Sequence, residues 1–218
     1  TWEKSLERCY PTDTFVTINA GTISSDVLYE YYKLNTVLYD YYTPQQVILT
    51  VNETDILDIM ENGGINRFDE PNHLLKLEAP WWSFFYTFSP LSRYLFNALL
   101  DWNEYGPNAE TTKREDDSIA VINETIELFN KHAKRNHYKF SLVLIPLKQE
   151  LVKKDMHLST LIPMLKEKGI DYLDFYKYIL ENEIDYTALY WEKDSHLNSH
   201  GYDLLGQALC EHLVKSKR

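Results

Sequence analysis

Short apolar runs alternating with helical stripes constrain this chain more than any other feature. Gln46-Val47-Ile48-Leu49-Thr50-Val51 and residues 140–147 are runs of buried-strand type, and Tyr172-Leu173-Asp174-Phe175 is a third, shorter strand. Strands apolar on both faces belong to parallel sheets covered by helices. The segments between them supply such helices. Val27, Leu28, Tyr31, Leu34, Leu38 and Tyr42 follow helical spacing, with Ser24 or Ser25 as N-cap and Pro44 as the stop. Ile119, Ile122, Ile126, Phe129 and Ala133 form a second stripe, opened by Asp116 or Asp117. Ser159 is expected to cap a third helix through Leu161, Ile162 and Leu165 that ends at Gly169, and a last helix covers about residues 200–214. Phe15-Val16-Thr17-Ile18 alternates and is β-branched, which predicts a further strand ending at Asn19-Ala20-Gly21. The order β-α-β-(insertion)-α-β-α-β-α describes a flavodoxin-like, doubly wound α/β sandwich.

A length of 218 residues fits one domain, 1–218. Residues 60–116 break the rhythm: Gly63-Gly64, Pro71, Pro80, Pro90 and Pro107 punctuate them, around the block Trp81-Trp82-Ser83-Phe84-Phe85-Tyr86. They read as an irregular aromatic-rich insertion, a lid or docking surface, with one amphipathic helix at 92–102. No apolar run reaches the length that spans a bilayer, and no signal peptide is visible in a chain that starts at Thr1. The net charge of -11 argues against nucleic acid and anionic membranes as partners. Cys9 and Cys210 fit either two free thiols or one staple between the ends. The 17 tyrosines are expected to pack at the core edge, with stacking on sugar rings as the alternative use.

The chemistry concentrates in Asp194-Ser195-His196-Leu197-Asn198-Ser199-His200-Gly201-Tyr202, ahead of the last helix. A carboxylate two residues before an imidazole can hold one ring nitrogen or lie beside it, leaving the other nitrogen to take a proton from a nucleophile. In open parallel sheets reactive groups collect in loops at the carboxyl ends of strands. Residues 19–25, 52–58 and 194–201 qualify, although the first is also an ordinary helix cap and the second an Asx-type turn. A metal reading of Asp194, His196 and His200 lacks a further ligand, so neither metal nor cofactor is expected. His73, His132, His137, His157 and His212 sit in polar surroundings and read as surface residues.

At these residues the chain resembles the SGNH/GDSL hydrolase family along nearly its whole length. Ile18-Asn19-Ala20-Gly21-Thr22-Ile23-Ser24-Ser25 looks like the second family block, an asparagine followed by a small-residue loop. Pro44 through Val51, leading into Asn52-Glu53-Thr54-Asp55-Ile56-Leu57-Asp58, looks like the third. Leu144-Ile145-Pro146 with Lys148-Gln149 is similar to the strand before the final αβ unit. Asp194-x-His196-x-Asn198-x-x-Gly201 matches the last block, where the family keeps its catalytic Asp and His.

The resemblance implies an ester hydrolase, an esterase or carbohydrate O-acetyl esterase or acetyltransferase, acting on small-molecule or carbohydrate esters in a secreted or periplasmic setting. It assigns His196 and Asp194 to catalysis, and the oxyanion hole to the N–H of Ser24 and the side chain of Thr54 or Asn52. The family's first block, a strand ending in Gly-Asp-Ser, supplies the nucleophile and the central strand. It belongs ahead of Trp2, and nothing in this chain fills it. The chain therefore reads as an N-terminally truncated form lacking its first central strand. Two alternatives compete: Ser24 or Ser25 as the nucleophile, and a catalytically inactive glycan-binding module on the same fold.

Overall fold

The computed structural model describes residues 2–8, 16–22, 25–62, 68–70, 73–74, 91–92, 94–95, 102–103, 106–107 and 111–215. The chain divides into two compact units. The first comprises Thr1–Ile23, Thr43–Glu53 and Glu127–Arg218, and the second Ser24–Tyr42 and Thr54–Ile126.

The first unit is mixed α/β. Its sheet holds β1 (Gln46–Val51), β6 (Lys139–Leu144) and β7 (Asp171–Asp174), all parallel, in the order β1-β6-β7. Val47 pairs with Phe140, and Leu144 with both Val51 and Asp174. β6 is buried at every residue after Lys139, as expected for a run flanked by strands on both edges. Parallel neighbours need long crossovers. Between β6 and β7 these are α6 (Lys148–Lys153), a 3-10 turn (His157–Leu161) and α7 (Ile162–Glu167). After β7 come α8 (Phe175–Glu181), a 3-10 turn (Tyr186–Ala188) and α9 (Ser199–Lys215). The core joins Val143 and Leu173 of the sheet to Leu151, Phe175, Ile179, Leu205, Leu209 and Leu213 of these helices.

The short helix α1 (Trp2–Glu7) lies on α9. A Cβ at Gly206 would come within 2.5 Å of the Ser5 side chain, so glycine permits this close approach. Leu6 is fully buried there, and the Ser5 hydroxyl donates to Asp203. Cys210 of α9 is disulfide-bonded, which favours the staple reading; Cys9 lies outside the described residues.

The second unit is helical with two small hairpins. α2 (Val27–Lys33) runs through a π-helical turn (Leu34–Leu38) into α3 (Tyr39–Tyr42). The Thr36 hydroxyl donates to the Tyr32 carbonyl at 2.7 Å within this stretch. Such back-bonding competes with the backbone ladder and accompanies the widened turn. α4 (Glu53–Asn62) follows β1, and α5 (Thr111–Asn136) ends in the first unit. The hairpins pair β2 (Phe68–Glu70) with β3 (His73–Leu74), and β4 (Trp102–Asn103) with β5 (Gly106–Pro107).

Several expectations need correction. Val16, Thr17 and Ile18 form no strand; Val16 is 78% exposed, and Glu7 accepts both the N–H and the hydroxyl of Thr17. β-branched propensity does not make a strand where a side chain takes the backbone donor. Asp26, not Ser24 or Ser25, caps α2, its Oδ1 accepting from Tyr29 N at 2.8 Å. Within 92–102, Ser92, Tyr94 and Leu95 are helical, but Trp102 begins a hairpin strand. Residues 53–58 are helix rather than turn: Ile56 and Ile59, one turn apart, are buried. Ser159 caps nothing, because its helix starts at Ile162 with Pro163 in the first turn. α6 and α8 are helices the apolar pattern did not disclose. The aromatic block 81–86 lies outside the described residues.

Candidate functional site

Asp194 and His196 sit at the tip of an irregular hairpin in the first unit. Tyr190 and Leu197 bridge antiparallel, and Trp191 N donates to His196 O at 3.2 Å. Both bridge residues are buried, which anchors the hairpin in the core while its tip stays exposed.

Asn198 locks the base of the hairpin. Its Nδ2 donates to Ala188 O at 2.9 Å and to Tyr190 O at 3.1 Å. Its Oδ1 accepts from His200 N and Gly201 N at 2.9 and 3.0 Å, capping α9. One side chain therefore joins two segments of chain to a helix terminus, with every amide valence in use. Gly201 completes the joint, because a Cβ there would meet Leu189 O at 2.3 Å.

Further bonds carry the hairpin to the carboxyl end of the sheet. The buried Tyr190 hydroxyl donates to Pro146 O at 2.7 Å, and burial raises the phenol's pKa, so it remains a donor. Gln149 and Ser195 exchange two bonds of 2.8 and 2.9 Å. Lys148 Nζ reaches the carbonyls of Trp191 and Glu192 at 3.4 Å each. Residues 146–149 follow β6 directly, and Ile145 N is tied to Val51 O at 2.9 Å, just before Asn52. The turn after β6 is rigid because the Glu150 carboxylate accepts from Leu147 N and His157 N, both at 2.7 Å. Burial raises the pKa of that carboxyl group despite these bonds. Glu150 and Tyr190 went unnoticed in the sequence; the only sequence signal for Glu150 is its place three residues into a helix.

The pair itself is close. Asp194 Oδ1 lies 2.5 Å from His196 Nδ1 and accepts His196 N at 3.0 Å. The ring bond first, then the backbone bond, holds the Asp194 carboxyl below the usual carboxylate range. Asp194 is therefore ionised at neutral pH, and it favours the tautomer with its proton on Nδ1. Among the described residues His196 Nε2 has no hydrogen-bond partner, and the ring is 68% exposed.

The oxyanion candidates fare differently. Asn52 follows β1, at the end of the sheet where the Asp194–His196 hairpin is tied. Thr54 falls in the second compact unit, on α4. Ser24 lies outside the described residues. Ser25, the alternative nucleophile, donates its hydroxyl to Glu30 at 2.6 Å.

Two histidines read as surface residues are not. His132 is buried, its Nδ1 2.8 Å from the Tyr138 hydroxyl, and burial lowers its pKa. His212 is three-quarters buried and bonds Asp171 at 2.8 Å. A sequence stretch gives the polarity of near neighbours, whereas helix packing sets burial.

Beyond β7, an open depression of about 410 Å³ is lined by Lys154, Asp155, Ser159, Asp174 and Tyr176 among others, and neither Asp194 nor His196 borders it. Among the described residues no three His, Cys, Asp or Glu side chains are grouped to hold a metal ion, and no helix is long and apolar enough to cross a membrane. No family model, no curated protein and no solved structure matches the chain.

Proposed function

We propose that the first unit carries the acid–base half of an SGNH-type serine ester hydrolase, built on a flavodoxin-like sheet. One observation carries this reading: the Asp194-oriented imidazole of His196, whose Nε2 has no hydrogen-bond partner among the described residues, stands on a hairpin tethered to the turn that follows the middle strand. Doubly wound sheets gather their chemistry at that end.

His196 Nε2 takes the proton from a serine hydroxyl as its oxygen attacks the ester carbonyl. Asp194 stabilises the imidazolium that results. The imidazolium then protonates the leaving alkoxide, and an acyl-serine remains. Water, deprotonated by the same nitrogen, releases the acid in the second half. In this reading Asn52, which follows β1, donates to the oxyanion, with the Ser24 N–H and Thr54 hydroxyl as the other donors that the family resemblance assigns. Losing one such donor costs about 3 kcal/mol of transition-state stabilisation.

The nucleophile in this reading is the serine of the family's Gly-Asp-Ser block. The described serines whose hydroxyl bonds are known are engaged elsewhere: Ser5 with Asp203, Ser25 with Glu30, Ser141 with Asp171 and Ser195 with Gln149. The test uses the full-length protein, a fluorophosphonate label and p-nitrophenyl acetate. Labelling of one serine, hydrolysis, and loss of both in His196→Ala support the assignment. Hydrolysis that survives His196→Ala, or no hydrolysis and no label at all, overturns it.

A further inference from the structure

We propose that Trp191 is a stacking platform for a pyranose ring, which brings a sugar-borne ester to this site. The substrate half of the proposal rests on the hydrolase reading; the binding half does not. The placement follows from the hairpin. Trp191 N bonds His196 O, one pair beyond the Tyr190–Leu197 bridge, so Trp191 and His196 lie directly opposite each other. Residues opposite each other in an antiparallel pair project to the same face, with Cβ atoms about 5 Å apart. Consecutive pairs alternate faces. Burial agrees: Tyr190 and Leu197 are 3% and 4% exposed, whereas Trp191 is 56% exposed and the His196 side chain 68%. The indole and the imidazole thus share the outward face.

The Trp191 backbone is held while the residue stays largely uncovered. Its backbone is fixed on both sides, by His196 O on its N–H and by Lys148 Nζ on its carbonyl. Among the described residues no aromatic ring packs against it. Around it stand exposed donors and acceptors: Lys148, Gln149, Glu192, Lys193 and Asp194. A flat apolar ring with a rim of hydrogen-bonding groups suits a ligand with one C–H face and a hydroxylated edge, which describes a pyranose. A ring seated on Trp191 brings its ester substituents beside His196 Nε2, where the acyl group must lie for attack.

Two readouts on the full-length protein test this, one of them independent of catalysis. The first titrates the Trp191 indole N–H signal, assigned by its loss in Trp191→Ala, with cellotetraose, which carries no ester. A saturable shift that persists in His196→Ala is expected, and no shift overturns the proposal. The second compares glucose pentaacetate with vinyl acetate, an ester without a ring. Trp191→Ala is expected to lower the preference for the sugar ester about tenfold, the size of one lost stacking contact, and Trp191→Phe to restore part of it. Tyr41→Ala, an exposed ring in the other unit, serves as the control. Equal losses on both esters overturn the platform role. A cellotetraose shift in a protein that hydrolyses neither ester leaves the platform standing and removes the hydrolase reading in favour of a glycan-binding module.

Discussion

The parallel sheet carries a histidine–aspartate pair at each end, and the two differ in exposure: the His196 side chain is 68% exposed and that of His212 25%. At the amino end, Asp171 opens β7 and accepts His212 Nε2 at 2.8 Å on one oxygen and the Ser141 hydroxyl at 2.7 Å on the other. Gln46 in turn donates to Ser141 at 3.0 Å, so the network ties all three strands to α9. Its serine donates to the carboxylate instead of to the imidazole, and so gains no basic partner. At the carboxyl end, Asp194 engages one nitrogen of His196, and the ring is largely exposed. The lesson concerns exposure: each carboxylate engages one ring nitrogen, and a His–Asp pair becomes a candidate site when the imidazole also stands in reach of solvent and substrate.

The comparison breaks first at His196. His196→Ala is expected to lower ester turnover about 10³-fold, with the unfolding free energy changed by less than about 0.5 kcal/mol, because the ring is exposed. Turnover and urea denaturation measured on the same samples decide it; a large stability loss would make the carboxyl-end pair structural too.

Next in size is the staple on α9. Cys210→Ser is expected to lower stability by about 2–5 kcal/mol, since the bond closes a long loop against the unfolded state. Non-reducing peptide mapping with a thermal melt checks this. Asn198→Ala should cost about 1–2 kcal/mol through the lost cap, with lower kcat from a loosened hairpin. Asn198→Asp keeps the cap but sets a carboxylate oxygen against the Ala188 and Tyr190 carbonyls in place of the Nδ2 donors, so it should restore neither the stability nor the turnover in full.

His212→Ala sharpens the contrast from the other side. It leaves the half-buried Asp171 with one donor fewer, which is expected to cost about 1–3 kcal/mol while turnover holds.

The smallest effect is in pH. Burial works to raise the pKa of Asp171, but the bonds from His212 and Ser141 outweigh it and hold the carboxyl below its ordinary value. A lowered folded pKa means stability that is present above about pH 4 and lost as pH falls through the folded value. Asp171→Asn should therefore flatten the acid limb of a stability–pH curve. Asp194 is also lowered, yet it is exposed, and Asp194→Asn should leave that limb unchanged.

The legible parts of the fold were those with unbroken apolar pattern. β1, β6, β7 and α9 sit close to where periodicity puts them, because each must be buried by whatever surrounds it. α6 and α8 are six- and seven-residue helices, too short to show a stripe. Lys154, at φ 57, ends α6 in a conformation usually signalled by glycine or asparagine. Val16 to Ile18 show the opposite case: β-branched propensity without a pairing partner leaves them outside the sheet.

In the candidate site, the sequence by itself determined the Asp194–His196 pair and its capping asparagine. A two-residue spacing lets one carboxylate reach both the N–H and the ring of the same histidine, and Asn198 precedes the helix it caps; these bonds close within a turn of chain. Tertiary structure decided which imidazole stays exposed and which is packed away. Asp171 meets His212 from 41 positions away and Tyr190 meets Pro146 from 44, so strand register and helix packing, which no local pattern encodes, bring them together.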